Sequence, residues 1–155
     1  MPLPNQALVL VLDGRKMLFF RNHGDEAQID LRTEAHDERV DLSDGEMKTD
    51  APGSNHQSVG NGRSSYEETD FHQQAEDDWV KDAADELKKR VLTNDFEHLC
   101  IIAPPKALGV LRKALHKEVE RRIVCSINKE MSGRPIPEIE ALLVTTTKAE
   151  EPTAV

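Results

Sequence analysis

The sequence predicts an α/β fold: a single domain built on a mixed five-stranded sheet with helices packed on it. Three observations carry that prediction. Three short apolar runs come first, separated by turn signals. After a polar stretch, helix-period apolar stripes alternate with two more apolar runs. The length, 155 residues, is one domain's worth of chain and can bury roughly two thirds of its unfolded surface without a staple. The resulting order, β-β-β-α-β-α-β-α, calls for antiparallel strands joined to βα units.

The first strand is Ala7 to Asp13, a continuous branched-apolar run of the kind covered on both faces of a sheet. Asp13-Gly14 signals a two-residue hairpin, glycine accepting positive φ without steric cost. Lys16 to Arg21 is the return strand. His23-Gly24-Asp25 turns the chain again, and Ala27 to Thr33 offers a third strand with Ile29 and Leu31 on one face.

Residues 34–70 read as one long polar loop. Ten acids there face three bases (Arg39, Lys48 and Arg63), and apolar residues thin to a few. Such a segment buries too little apolar area to offset its ordering entropy, and a loop of this length is usually functional or disordered. Asp70 then reads as an N-cap, with Gln73 completing a capping-box pattern. Phe71, Ala75, Trp79, Ala83, Leu87 and Val91 mark the buried stripe of the helix that follows.

Thr93-Asn94-Asp95 ends that helix, and His98 to Ala103 is the fourth strand, stopped by Pro104-Pro105. Leu108, Leu111, Leu115 and Val119 space a second helix. Arg122 to Asn128 is the fifth strand, Pro135 to Val144 a last short helix, and Thr145 to Val155 a polar tail expected to fray. The expected organisation is therefore one domain over residues 1–144 and a flexible tail over 145–155. This element order resembles the ribonuclease H-like fold and the middle domain of class I release factors and Pelota.

Composition excludes several classes. With 29 Asp+Glu against 20 Lys+Arg, the net charge of −9 argues against a wholesale polyanion binder. Two cysteines make no disulfide framework. Cys100 and Cys125 fall in apolar strands and read as buried, inert thiols. No apolar run nears the ~20 residues of a membrane span, and Met1 to Gln6 has no basic n-region or apolar h-region, so a cytoplasmic protein without membrane contact is expected.

Few residues pattern into chemistry. Asp13, at the end of the first strand, is where a nuclease of the ribonuclease H kind would place a metal-binding acid. The fourth strand ends in Ala103-Pro104 with no partner acid, and Asp-Gly already explains a turn. His72 and Glu76 have metal-ligand spacing, but a solvent-facing pair explains them as well. The serines of the loop sit in no nucleophile elbow, and neither Gly-rich stretch is a P-loop. No catalytic residue, metal ligand or cofactor is assigned, and enzymatic activity is not expected. One charge asymmetry stands out: residues 106–134 hold eight bases and three acids, about +5 in an acidic chain. Such a face suits RNA, yet all six aromatic residues lie before position 97, so no stacking platform accompanies it.

Four stretches together resemble the bacterial host attachment protein family. They are LVLVLDGRKMLFFRN, Asp50-Ala51-Pro52-Gly53, the helix after Asp70-Phe71-His72, and the block Phe96 to Leu143 with its A-P-P-x-x-L-G-x-L-R pattern at Ala103 to Arg112. The second is similar to a D-x-P-G-R element, with Ser54 in place of the arginine. That family is in turn similar to the release-factor middle domain, where a Gly-Gly-Gln loop between the third strand and the long helix promotes peptidyl-tRNA hydrolysis. Here the corresponding stretch reads His56-Gln57-Ser58-Val59-Gly60-Asn61-Gly62.

The resemblance implies a non-catalytic adaptor that contributes indirectly to bacterial attachment to host cells, with an unidentified protein as partner. The alternative is a ribosome- or RNA-associated factor using the basic 106–134 segment. Self-association is compatible with either. Candidate binding residues are Asp13, Asp50, Pro52, Gly53, Arg63, Pro105, Lys106 and Arg112, with amides near Lys106 available to an anion.

Overall fold

The computed structural model describes residues 3–38 and 65–150. The described elements run β1 (Leu8–Leu12), β2 (Lys16–Asn22), β3 (Leu31–Glu38), α1 (Ser65–Leu92), β4 (Leu99–Ala103), α2 (Pro105–Ala114), α3 (Lys117–Arg121), β5 (Ile123–Asn128) and α4 (Ile136–Glu150). The strands form one five-stranded sheet in the order β3-β2-β1-β4-β5. β1 pairs antiparallel with β2 and parallel with β4; β2–β3 is antiparallel and β4–β5 parallel. The expected single α/β domain with a mixed sheet is what the chain forms.

Strand alternation sorts the apolar residues into two cores. Leu8, Leu10, Leu12, Phe19, Leu99 and Ile101 face α1, α2 and α3, where Trp79, Val80, Ala83, Leu87, Leu111 and Val119 meet them. Val9, Val11, Phe20, Cys100, Ile102 and Ile127 face α4 and are covered by Ile139 and Leu143. All five residues of β1 and of β4 are buried, which explains their uninterrupted apolar runs.

Several boundaries differ from the sequence expectation. The third strand is Leu31–Glu38, not 27–33. Asp25 Oδ1 accepts from the backbone N–H groups of Ala27 and Gln28 at 2.9 and 2.8 Å, so that segment is a turn. Gly24 is required in this turn, since a Cβ there would lie 1.9 Å from the Gln28 carbonyl oxygen. Residues 34–38 of the expected loop are thus strand, and 39–64 lie outside the described residues. α1 opens at Ser65, five residues before the expected cap at Asp70. Phe71 is not in the buried stripe but 57 % exposed, because the stripe begins at Trp79.

The second helix is two. α2 ends at Leu115 in extended backbone, and His116 Nδ1 accepts from the Glu118 N–H at 3.0 Å, capping α3. The break lets Val119 stay in the core. The last helix runs to Glu150, beyond the Val144 end read from the sequence.

The two cysteines are bonded to each other, which corrects the reading of inert thiols. The β4–β5 register pairs Leu99 with Ile123 and Cys100 with Cys125, skipping Val124. That irregularity sets the two cysteines directly opposite, 4.6 Å apart at Cα, within disulfide reach.

An ion-pair cluster ties the sheet to the end of α1. Arg21 is nearly buried and donates to Glu34 at 2.9 and 3.0 Å, to the Asp95 carboxylate at 2.7 Å, and to the carbonyls of Gln6 and Asp95. Arg90 joins Glu34, Glu86 and Asp95 and lies 4.4 Å over the Phe19 ring. Asn94, at φ 58°, carries the left-handed turn that ends α1: the Asp95 N–H returns to the Arg90 carbonyl at 2.9 Å.

Candidate functional site

β1, β4 and β5 run parallel, so their carboxyl ends share one edge of the sheet, where ligands of open α/β folds commonly bind. Asp13 leaves β1 there. Its Oδ1 accepts from the Arg15 and Lys16 N–H groups at 2.7 and 2.6 Å, and its own N–H reaches the Lys16 carbonyl at 3.0 Å. The turn role expected from Asp-Gly is therefore present. Its stated reason is not: Gly14 has no positive φ, and a Cβ there would instead come within 2.9 Å of the Glu76 side chain. The second oxygen, Oδ2, accepts a short hydrogen bond from the Ser132 hydroxyl, which also lies 3.1 Å from Glu130 Oε1. Ser132 is buried and joins the segment after β5 to the end of β1.

On the α1 side of this edge is a cleft of about 70 Å³, lined by Gly14, Gln73, Glu76, Asp77, Val80, Pro104, Lys106 and Ala107. Pro104 caps α2 without a side-chain bond, and Pro105 occupies the first turn, where its missing N–H costs nothing. Lys106 shares the cleft with two carboxylates. With one cation against two carboxylates in its lining, the cleft does not present the net positive charge a phosphate needs. Among the described residues, no group of three or more His, Cys, Asp or Glu could hold a metal ion.

The fold thus brings Asp13, Pro105 and Lys106 to one edge. Arg112 lies at the other end of α2, donating to Ser126 Oγ at 2.9 Å. Asp50, Pro52, Gly53 and Arg63 lie outside the described residues, as does Gln57. The sequence reading missed Ser132, Glu130, Gln73 and Asp77. Nothing in their local pattern marks them, because parallel pairing of β1, β4 and β5 brings Ser132 and Glu130 to Asp13, and packing of α1 brings Gln73 and Asp77 to the cleft. His72 and Glu76 sit on α1, Glu76 lining the cleft.

A second feature is carried by α2, α3 and the end of β5. Lys106 on α2 and Lys129 after β5 lie at the carboxyl edge, Arg112 and Lys113 in the last turn of α2, and Lys117 and Arg121 on α3. All six are exposed. Arg121 pairs with Glu118, whereas Lys106, Lys113, Lys117 and Lys129 make no ion pair among the described residues. The basic bias of 106–134 is therefore carried on exposed side chains of α2, α3 and the end of β5, and Arg112 reaches the edge strand through Ser126.

No described helix is long and apolar enough to cross a membrane. Among curated proteins, none matches the chain. The model of the bacterial archaeo-eukaryotic release factor family 12 matches residues 6–143, from the turn before β1 into α4. It supports the release-factor side of the resemblance read from the sequence and lends nothing to the host-attachment name. On a match that covers most of its length, the chain belongs to the bacterial archaeo-eukaryotic release factor family 12.

Proposed function

We propose that this protein is a ribosome-associated factor that acts in the cytoplasm and docks on RNA through the basic strip formed by α2, α3 and the end of β5. The family match over 6–143 carries the reading. The strip supports it, because phosphate contact needs clustered, exposed Lys and Arg, and the chain concentrates them here against a net charge of −9. Charge segregation of this kind orients an acidic protein on a polyanion and repels its remaining faces.

The mechanism proposed is docking rather than chemistry. The sequence contains no Gly-Gly-Gln, so the residues associated with peptidyl-tRNA hydrolysis in release factors are missing. Asp13, Ser132 and Glu130 form a hydrogen-bonded brace between strand ends, which fixes the shape of the carboxyl edge. The segment 39–64 joins β3 to α1, and β3 ends at Glu38 paired with Lys16, beside the Asp13 turn.

Co-sedimentation with purified ribosomes tests this. The wild-type chain should pellet with ribosomes at 50 mM salt and stay in the supernatant at 300 mM. A Lys113→Glu, Lys117→Glu, Lys129→Glu variant should remain in the supernatant at both. Equal pelleting of the variant and the wild type at low salt would refute the docking face. The host-attachment adaptor reading has no structural observation in its favour.

A further inference from the structure

We propose that the Cys100–Cys125 bond is a redox-operated latch on the edge strand β5. Among the described residues, β5 closes the sheet on one side and pairs with β4 alone. Its ladder is irregular at its start, where the register skips Val124, and the disulfide lies immediately beyond that break. The covalent link thus stands beside the break in backbone pairing. β4, buried along its whole length, is the fixed side of the latch, and β5, only partly buried, is the movable side.

What hangs on β5 gives the latch consequences. Ser126 holds Arg112 of the basic strip, and the chain leaving β5 carries Glu130 and Ser132 to Asp13. Freeing β5 loosens both the strip and the brace at the carboxyl edge. The strand is then retained by the β4 ladder, its core packing and these few polar contacts, and it lies at an edge of the sheet with no second partner strand among the described residues.

The sulfurs lie in the core beneath α4, Cys100 fully buried and Cys125, on the edge strand, 4 % exposed. Reduction is a dithiol exchange. A reductant thiolate attacks Cys125 Sγ, the Sγ–Sγ bond breaks, and Cys100 leaves as a thiolate that takes a proton. The reductant's second thiol then displaces Cys125 from the mixed disulfide. Two protein thiols and one oxidised reductant result, and an oxidised dithiol reverses the step. In a reducing compartment, disulfides of this kind are mostly transient or sensing ones. That last argument rests on the proposed ribosomal role; the mechanical argument does not.

Hydrogen exchange on the full chain tests the latch, with the wild-type protein air-oxidised, reduced with dithiothreitol, and re-oxidised with oxidised glutathione. The β5 amides bonded to β4 should exchange about tenfold faster on reduction, those of β1 and β2 should hold their rates, and re-oxidation should restore β5. A Cys100→Ala, Cys125→Ala variant should match the reduced protein, although the comparison of redox states does not depend on its folding. Unchanged β5 exchange would overturn the latch. So would equal acceleration of every strand, which marks a global staple, or two titratable thiols in the air-oxidised protein. None of these outcomes depends on ribosome binding, so the two proposals fail separately.

Discussion

Arg21 shows how one buried charge is made tolerable. Burial alone would lower its pKa, but the hydrogen bonds it donates to Glu34 and Asp95, and their charges, hold it above its usual value. Glu34 is held below its ordinary 4.5, chiefly by the Arg21 hydrogen bonds, against the opposing effect of burial. The unfolded chain then binds this proton more readily than the folded one. The stabilisation is complete well above pH 4.5 and is lost as pH falls through the depressed value. Urea midpoints should therefore show Glu34→Gln about 1–2 kcal/mol less stable than wild type at pH 7, with the gap closing near pH 3. A gap that is constant with pH would deny Glu34 this role. At Asn94, φ 58° favours residues that tolerate left-handed backbone. Asn94→Gly should be near neutral and Asn94→Ala should cost about 1 kcal/mol in the same assay. Little of this was legible in sequence. Glu34 looked like the first acid of a loop, whereas the β2–β3 register pairs Phe19 with Ala35 and Phe20 with Thr33 and skips Glu34, an irregularity no periodicity reveals.

Elements were more legible than their ends. The five strands and the main helices follow from apolar runs and 3.6-residue stripes, because burial dictates both. The missed boundaries were set by polar bonds instead. An Asp25 turn delays β3, and a His116 cap divides α2 from α3. α4 is the clearest case. Its polar last turns suggested a tail, yet Ile139 and Leu143 are almost wholly buried, and Glu140 Oε2 accepts from the Leu31 N–H at 2.8 Å. The helix thus covers one core and satisfies a donor on edge strand β3. Leu143→Ala should cost about 3 kcal/mol in urea unfolding, as expected for a cavity beneath a docked helix. A cost below about 1 kcal/mol would mean α4 is loosely held.

At the scale of the whole molecule, one covalent link and one charge asymmetry dominate. The disulfide joins residues 25 apart in sequence, across the β4–β5 pair. The sequence could not announce that bond, since pairing depends on a register shift at Val124. It did announce the asymmetry, and the fold leaves those basic residues exposed on α2, α3 and the end of β5. The decisive measurement is the salt dependence of binding to a structured ribosomal RNA, for the wild type and for the Lys113→Glu, Lys117→Glu, Lys129→Glu variant. The account predicts wild-type affinity falling linearly in log–log form with a slope of about −3 or steeper, and a variant with no measurable binding. Equal affinities, or a wild-type slope near zero, would contradict it.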